Sequence, residues 1–381
     1  MADARIRLGM VGGGRGAFIG AVHRIASRID DRYELVAGAL SSRPDNAKAS
    51  ADDLHIAPER SYTSYEEMFA EEAKRDDGIE AVSIVTPNHM HFPVAKAALE
   101  AGIHVICDKP VTRTLEEALE LEKIAAKSNA FFGLTHNYSA YPLVRYAREM
   151  IERGELGNVR LVQVEYPQEW LTNAPEADNK QAAWRTDPNQ SGKAGCLGDI
   201  GTHAFQLAAF ISQLELDTLS ADLTSFVPGR EVDDNVHVMM RFKGGAKGML
   251  WTSQVAPGCE NGLRIRIYGD KAGLEWSQES PNEMWFTPLF GRHQRITRRN
   301  DNLDSDVAVR GIRTPQGHPE GYLEGFANLY TDIADVLVAR RKGESHAIES
   351  WIPGIGTGVQ GMRFIQAVLD SSEADGRWTT L

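Results

Sequence analysis

Cysteine is scarce in this sequence. Cys107, Cys196 and Cys259 are the three thiols in 381 residues. They are odd in number, far apart and never spaced as Cys-x-x-Cys, which excludes a disulfide framework or zinc ribbon and points to a reducing compartment. Long apolar runs are also lacking: no stretch reaches the roughly 18 uncharged apolar residues of a membrane-spanning helix. The N-terminus passes from Met-Ala-Asp-Ala-Arg directly into Ile6–Val11, without the charged and apolar regions of a signal peptide. A cytoplasmic protein is the expectation. Positive charge is in deficit, with 41 Lys and Arg against 53 Asp and Glu and a net charge of −12. Nucleic acids and anionic membranes are bound by clustered cations, so neither is an expected partner. A single anion-binding pocket is unaffected by that total. At roughly 150 residues per domain the chain has room for two or three, and needs neither disulfides nor a metal to build a core.

What is present is alternation. Short apolar runs at Ile6–Val11, Tyr33–Leu40, Ala81–Val85, Ile103–Cys107 and Ala130–Leu134 read as strands. Between them lie helical stretches at Phe18–Arg28, Ala47–Leu54, Tyr65–Ala73, Phe92–Ala101 and Leu115–Lys127. Ser64 with Glu67, and Thr114 with Glu117, have the spacing of capping boxes. Nearly continuous apolar strands joined by helices predict an α/β domain with a doubly wound parallel sheet over residues 1–135.

Residues 136–381 read differently. Helices at Leu143–Arg153 and His203–Gln213 accompany strands of period two at Val159–Tyr166, Val236–Phe242, Ala246–Gln254 and Leu263–Tyr268. Gly244-Gly245 looks like a hairpin turn. This pattern predicts a second, α+β domain on a large, mainly antiparallel open sheet. Ser280–Thr314, with its basic stretch Arg292–Arg299, reads as a solvated loop, and the helices Tyr322–Arg341 and Gly356–Ser371 close the chain, with room to pack back on the first domain.

Three constellations carry chemistry. The first strand ends in Val11-Gly12-Gly13-Gly14-Arg15-Gly16-Ala17-Phe18-Ile19-Gly20 and runs into a helix. Gly12-x-Gly14-x-x-Ala17 fits the dinucleotide fingerprint: the backbone must turn tightly, then approach a pyrophosphate that sits on the helix N-terminus. The second strand ends in Ser41-Ser42-Arg43-Pro44-Asp45, with no acid at the strand end to hold a ribose diol. Two hydroxyls and an arginine favour a 2′-phosphate, so the expectation leans slightly to NADP over NAD. The fourth apolar run leads into Asp108-Lys109-Pro110, a charged pair where open α/β sheets bind ligands. The third constellation is Gly195-Cys196-Leu197-Gly198-Asp199-Ile200-Gly201-Thr202-His203. Asp199 and His203 share a helical face, and with Lys109 they make a set able to move a hydroxyl proton. His89 and His91 have the spacing of a metal pair, but no third ligand lies nearby and no metal is expected. Gly317-His318-Pro319-Glu320-Gly321-Tyr322 reads either as a helix cap or as a source of substrate contacts from His318 and Tyr322.

These motifs, together with Thr86-Pro87-Asn88-His89-Met90-His91, resemble the glucose–fructose oxidoreductase, inositol dehydrogenase and rhizopine catabolism (Gfo/Idh/MocA) family over essentially the whole chain. The resemblance implies a Rossmann domain followed by an α/β domain whose open sheet mediates a homodimer or homotetramer. It also implies oxidation or reduction of one carbinol carbon of a sugar, cyclitol or derivative. Lys109 matches the lysine of the family's Glu-Lys-Pro turn, and Asp199 and His203 match its later acid and histidine. Asp108 replaces the usual Glu there with a shorter carboxylate. Thr86, Pro87, Asn88 and His91 are implied to line the dinucleotide, and Asn137, Trp184 and Arg185 to lie near the nicotinamide or substrate.

The expected mechanism has Lys109, aided by His203, taking the hydroxyl proton while hydride leaves carbon for the nicotinamide, with Asp199 orienting the imidazole or binding a hydroxyl. Two alternatives accompany it: a glycoside-cleaving enzyme that works by transient oxidation, and a dinucleotide-sensing regulator without catalysis.

Overall fold

The alternating runs of the first third become parallel strands. In the computed structural model, which describes residues 5–174, 180–299 and 303–381, β1 (Ile6–Gly12), β2 (Tyr33–Ala39), β3 (Ala81–Val85), β4 (His104–Cys107) and β5 (Phe132–Leu134) form one sheet in the order β2-β1-β3-β4-β5. Every pairing in it is parallel. All five residues of β3 are buried, which explains why its sequence shows no alternation. The order reverses at β1, so the crevice beyond the carboxyl ends of β1 and β3 is the topological switch point where such sheets bind ligands. Helices at Phe18–Ile29, Pro44–Asp53, Tyr65–Glu72, His91–Glu100 and Leu115–Ala125 follow the strands. Thr114 forms a complete capping box with Glu117. Ser64 caps Glu67 N–H, but the Glu67 carboxylate turns to Thr63 instead of closing the box.

The chain divides into two compact units. The first holds the residues up to Asn137 together with Leu323–Val359. The long helix Tyr322–Arg341 supplies Tyr330 to its core: Tyr33 hydroxyl donates to the Tyr330 carbonyl at 2.8 Å, and the Tyr330 hydroxyl lies 2.9 Å from both His23 Nδ1 and Ser83 Oγ.

The second unit, Tyr138–Tyr322 with Gln360–Leu381, is built on nine strands. These are β6 (Val159–Pro167), β7 (Leu216–Thr224), β8 (Asn235–Phe242), β9 (Lys247–Ser253), β10 (Arg264–Gly269), β11 (Ala272–Ser277), β12 (Glu283–Pro288), β13 (Gln294–Thr297) and β14 (Thr379–Thr380). Their order is β13-β12-β11-β10-β6-β9-β8-β7-β14, antiparallel throughout except for β6 beside β9. One face packs on helices Pro142–Glu152 and Thr202–Ser212, where Phe205 stacks on Phe364 at 4.0 Å. The opposite face presents Leu161, Met239, Met249 and Tyr268. Gly244 and Gly245 turn the β8–β9 hairpin with φ of +82° and +98°, which side chains other than glycine rarely adopt.

The segment Ser280–Thr314 corrects the loop expectation. It holds β12, β13 and a short helix at Asp306–Val309; residues 300–302 lie outside the described part. Arg298, read as part of a solvated basic face, is 5% exposed and pairs with the buried Glu320 at 3.1 Å. Composition hid the strand because the alternating partner of an edge hairpin is polar on its solvent face. Among the described residues no helix is long and apolar enough to cross a membrane.

Candidate active site

Glycine is required at the end of β1 by both conformation and space. Gly12 and Gly13 have φ of +82° and +74°. A Cβ on Gly14 would stand 2.6 Å from the Leu40 carbonyl oxygen, to which Gly14 N–H donates at 3.0 Å. A Cβ on Gly20 would stand 2.4 Å from Gly13 Cα, so Gly20 is the glycine of close helix–strand packing, a role the fingerprint reading had given to Ala17. Ala17 is instead the N-cap of the helix Phe18–Ile29, with no side-chain cap on its first N–H groups. Phe18 is exposed, and Ile19 packs on the Met10, Leu40 and Val85 cluster. Arg15 N–H is fixed by Ser50 Oγ at 2.9 Å, and its guanidinium forms a bidentate pair with Asp53. Ser41 is half-buried, while Ser42 and Arg43 are exposed at the start of the next helix, whose first acid is Asp45.

At the end of β3, Pro87 precedes a tight turn at Asn88–Met90 and Asn88 is buried. The His91 imidazole, 1% exposed, lies between the carbonyl oxygens of Pro110, 2.7 Å from Nδ1, and Thr86, 2.9 Å from Nε2. Both ring nitrogens are therefore engaged by backbone oxygens. Beyond β4, the Asp108 carboxylate accepts Lys109 N–H at 3.0 Å and Thr135 Oγ1–H at 2.8 Å, and the Lys109–Pro110 peptide is cis. Lys109 is half-buried. His136 sits beneath this turn; burial, with the Lys109 charge adding to it, pushes its imidazole down to about 3 and keeps it neutral. Thr86 Oγ1 and Asn137 Nδ2 are buried without a partner. A glycine cradle, an uncapped helix N-terminus and two orphaned polar atoms at the carboxyl ends of β3 and β5 fit a bound dinucleotide.

The second unit gathers the other candidates. Leu197–Gly201 forms a π-turn leading into the helix Thr202–Ser212, so Asp199 and His203 sit on successive turns. The turn is anchored from below: the Asp233 carboxylate accepts Gly195 N–H at 2.6 Å and Leu197 N–H at 2.8 Å. A Cβ on Gly195 would meet the Asp233 carbonyl oxygen at 2.2 Å, which accounts for the glycine there by packing. Asp199 Oδ2 accepts Arg185 Nε–H at 3.2 Å and Gln254 Nε2–H at 2.9 Å. The Arg185 guanidinium lies over the Trp184 ring at 4.3 Å and the Trp170 ring at 5.8 Å. His203 meets the Tyr138 ring edge-on at 4.9 Å and Tyr166 at 6.4 Å. The Tyr138 and Tyr166 hydroxyls are 2.7 Å apart, and Tyr166 donates onward to Asn261 Oδ1 at 2.7 Å. Burial pushes both phenols up, so both hydroxyls keep their protons. Tyr322, at the start of the long helix, is half-buried and adds to the effect on Tyr166. His318 is exposed, with Nδ1 3.2 Å from the Pro315 carbonyl of its own loop.

Residues 6–136 match the family described as "Oxidoreductase family, NAD-binding Rossmann fold", and residues 144–275 the "GFO/IDH/MocA C-terminal domain". A curated relative, the uncharacterized oxidoreductase YfiI of Bacillus subtilis, is 37% identical over 378 residues, covering 98% of this chain and 96% of its own. The chain belongs to the Gfo/Idh/MocA family. Like its relatives, this Gfo/Idh/MocA protein is an NAD-binding oxidoreductase. Two solved structures extend the likeness. An oxidoreductase from Sinorhizobium meliloti is 53% identical, with a TM-score of 0.90 and 99% of each chain covered. An inositol dehydrogenase homologue from Azotobacter vinelandii, complexed with NAD+, is 37% identical with a TM-score of 0.95, covering 100% of this chain and 98% of its own. The same protein complexed with NADH and myo-inositol has a TM-score of 0.92.

The sequence reading missed Gly20, Tyr138, Tyr166, Asn261, Gln254 and Asp233. Gly20 was legible from its place one helical turn into the glycine loop. The others come from separate strands and loops, and no local motif joins them.

Proposed function

We propose that the protein is an NAD(P)-dependent dehydrogenase acting on one carbinol carbon of a cyclitol, sugar or sugar derivative, in the cytoplasm. The observation that carries this reading is the Asp108–Lys109–Pro110 turn at the carboxyl end of β4, with Asp108 tied to Thr135. Lys109 Nζ takes the substrate's hydroxyl proton. The nicotinamide, when bound, supplies the hydride acceptor. His203, held between two phenol rings, donates to or accepts from the reacting hydroxyl, and Asp199, oriented by Arg185 and Gln254, binds a neighbouring hydroxyl. Trp184 and Arg185 provide the flat and cationic surfaces that sugar and cyclitol rings meet. His318, exposed on its loop, and Tyr322, beside the Tyr166 phenol, supply further substrate contacts.

For the ribose end, the absence of an acid between Ala39 and Pro44 supports NADP, through Ser41, Ser42 and Arg43. The Azotobacter vinelandii homologue complexed with NAD+ supports NAD. A homodimer or homotetramer is proposed to meet through the sheet face carrying Leu161, Met239, Met249 and Tyr268.

The test is absorbance at 340 nm with purified protein, NAD and NADP tried separately against inositols, aldoses and glucosides. Reduced cofactor growing with one substrate class is the expected result, and Lys109→Ala should lower kcat about 10²–10⁴-fold. A Lys109→Ala variant within a few-fold of wild type would remove Lys109 from its role. Sugar release from a glucoside with no net NADH would replace the dehydrogenase by the glycoside-cleaving alternative.

A further inference from the structure

Lys109 follows the last rung of the β3–β4 ladder, so its position depends on the turn that carries it. The β3–β4 ladder ends at the pair Ile84 and Cys107, and one further bond, Asp108 N–H to the Ile84 carbonyl at 3.0 Å, follows it. Beyond that the two chains diverge into separate turns, and Pro110 has no N–H with which to continue. Asp108, before Lys109, is held by Thr135. On the other side of Lys109, the Pro110 carbonyl is held by His91.

That contact is a buried bridge. His91 opens the helix His91–Glu100, and its ring joins the turn after β3, at Thr86, to the turn after β4, at Pro110. Burial lowers the pKa of this imidazole, so the ring is neutral and donates to one of these two oxygens, and the clamp needs that proton on Nδ1, the nitrogen facing Pro110. The contact that bears on Lys109 is the one from Nδ1 to Pro110.

We propose that His91 is a positioning residue for Lys109: its ring ties the Pro110 carbonyl to the β3 turn, and with the Asp108–Thr135 bond it brackets the lysine on both sides. The resemblance placed His91 among the groups lining the dinucleotide; here its contribution is to the proton-taking side of the reaction. The clamp stands on the hydrogen bonds alone, while its consequence for turnover rests on the role of Lys109 proposed above.

Three variants separate the two ends of the bridge. His91→Asn places an amide nitrogen near the position of Nδ1, His91→Gln places one near that of Nε2, and His91→Phe keeps the ring and loses both. The first readout needs neither cofactor nor substrate: Lys109 acetylation by limiting acetic anhydride, measured by mass spectrometry against the exposed lysines. The second is NADH affinity by fluorescence. The third is kcat and KM at 340 nm with myo-inositol. His91→Phe and His91→Gln should change Lys109 labelling by about three-fold or more and lower kcat about 10–100-fold, with KM and NADH Kd within about three-fold. His91→Asn should restore both labelling and kcat.

Equal labelling in all three variants would overturn the clamp. So would NADH affinity that falls in step with kcat, which would make His91 a dinucleotide contact, or a His91→Asn protein that behaves like His91→Phe. If His91→Phe does not fold, the contrast between Asn and Gln carries the test. Absence of turnover in the wild type, with the labelling contrast intact, would count against the dehydrogenase reading and leave the clamp standing.

Discussion

At the scale of single residues, buried imidazoles set the acid response of the first unit. Burial pushes His23 and His104 down to about 4 and His136 down to about 3, from an ordinary value near 6.5. In the unfolded chain these rings take protons as pH falls through about 6.5, whereas in the folded protein they stay neutral until about 4. Between those values the unfolded state binds more protons, so stability rises with pH and is lost on acidification. Each such histidine contributes a slope of up to ~1.4 kcal/mol per pH unit in that window. Urea unfolding at pH 6.5 and 4.5 should show this loss. His23→Gln, which removes one titrating ring while keeping a polar partner for Tyr330, should flatten the dependence by about one proton. Parallel pH dependences for variant and wild type would contradict the assignment.

At the scale of elements, the π-turn Leu197–Gly201 shows how a glycine-rich run is held in place by a carboxylate from another part of the chain. Gly195 lets the chain approach Asp233, and that carboxylate then accepts two N–H groups at the start of the turn that carries Asp199. Burial raises the Asp233 carboxyl while the two N–H donors oppose it. Asp233→Asn keeps the volume but turns an amide N–H towards one of those donors. The expected cost is ~1–3 kcal/mol in denaturant unfolding. On the roles proposed for Asp199 and His203, turnover should drop with it, because Asp199 lies in this turn and His203 in the helix that follows it. An unchanged denaturation midpoint would show that the turn is held by its packing alone.

At the scale of the whole molecule, the nine-stranded sheet exposes apolar side chains on one face. Met239 pairs with Met249 across β8 and β9, and Tyr268 pairs with Leu161 across β10 and β6, so the four exposed apolar side chains lie on one surface. Such a contiguous patch is the signature of an association surface. On the association proposed above, Met239→Glu with Met249→Lys should leave the protein a monomer in light scattering where the wild type is a dimer or tetramer, with the far-ultraviolet circular dichroism unchanged. An unaltered mass would move the contact elsewhere.

The sequence by itself determined the elements of the first unit, because each is specified locally. Apolar runs of strand length, capping residues at Ser64 and Thr114, and a glycine loop with no room for side chains all act within a few residues of chain. β3 and the helix Tyr322–Arg341 were legible to the residue for this reason. The motifs that carry Lys109, Asp199 and His203 were legible because each is contiguous. Tertiary structure alone decided what surrounds them. The Arg298–Glu320 pair turned a basic stretch into a buried strand end, and the segment containing Tyr330 completed a core begun 300 residues earlier. His91 became a bridge only when the crossover from β3 to β4 brought the Thr86 and Pro110 carbonyls to either side of its ring. These interactions join residues far apart in the chain, and their energy comes from burial and backbone hydrogen bonding at places that no local pattern encodes.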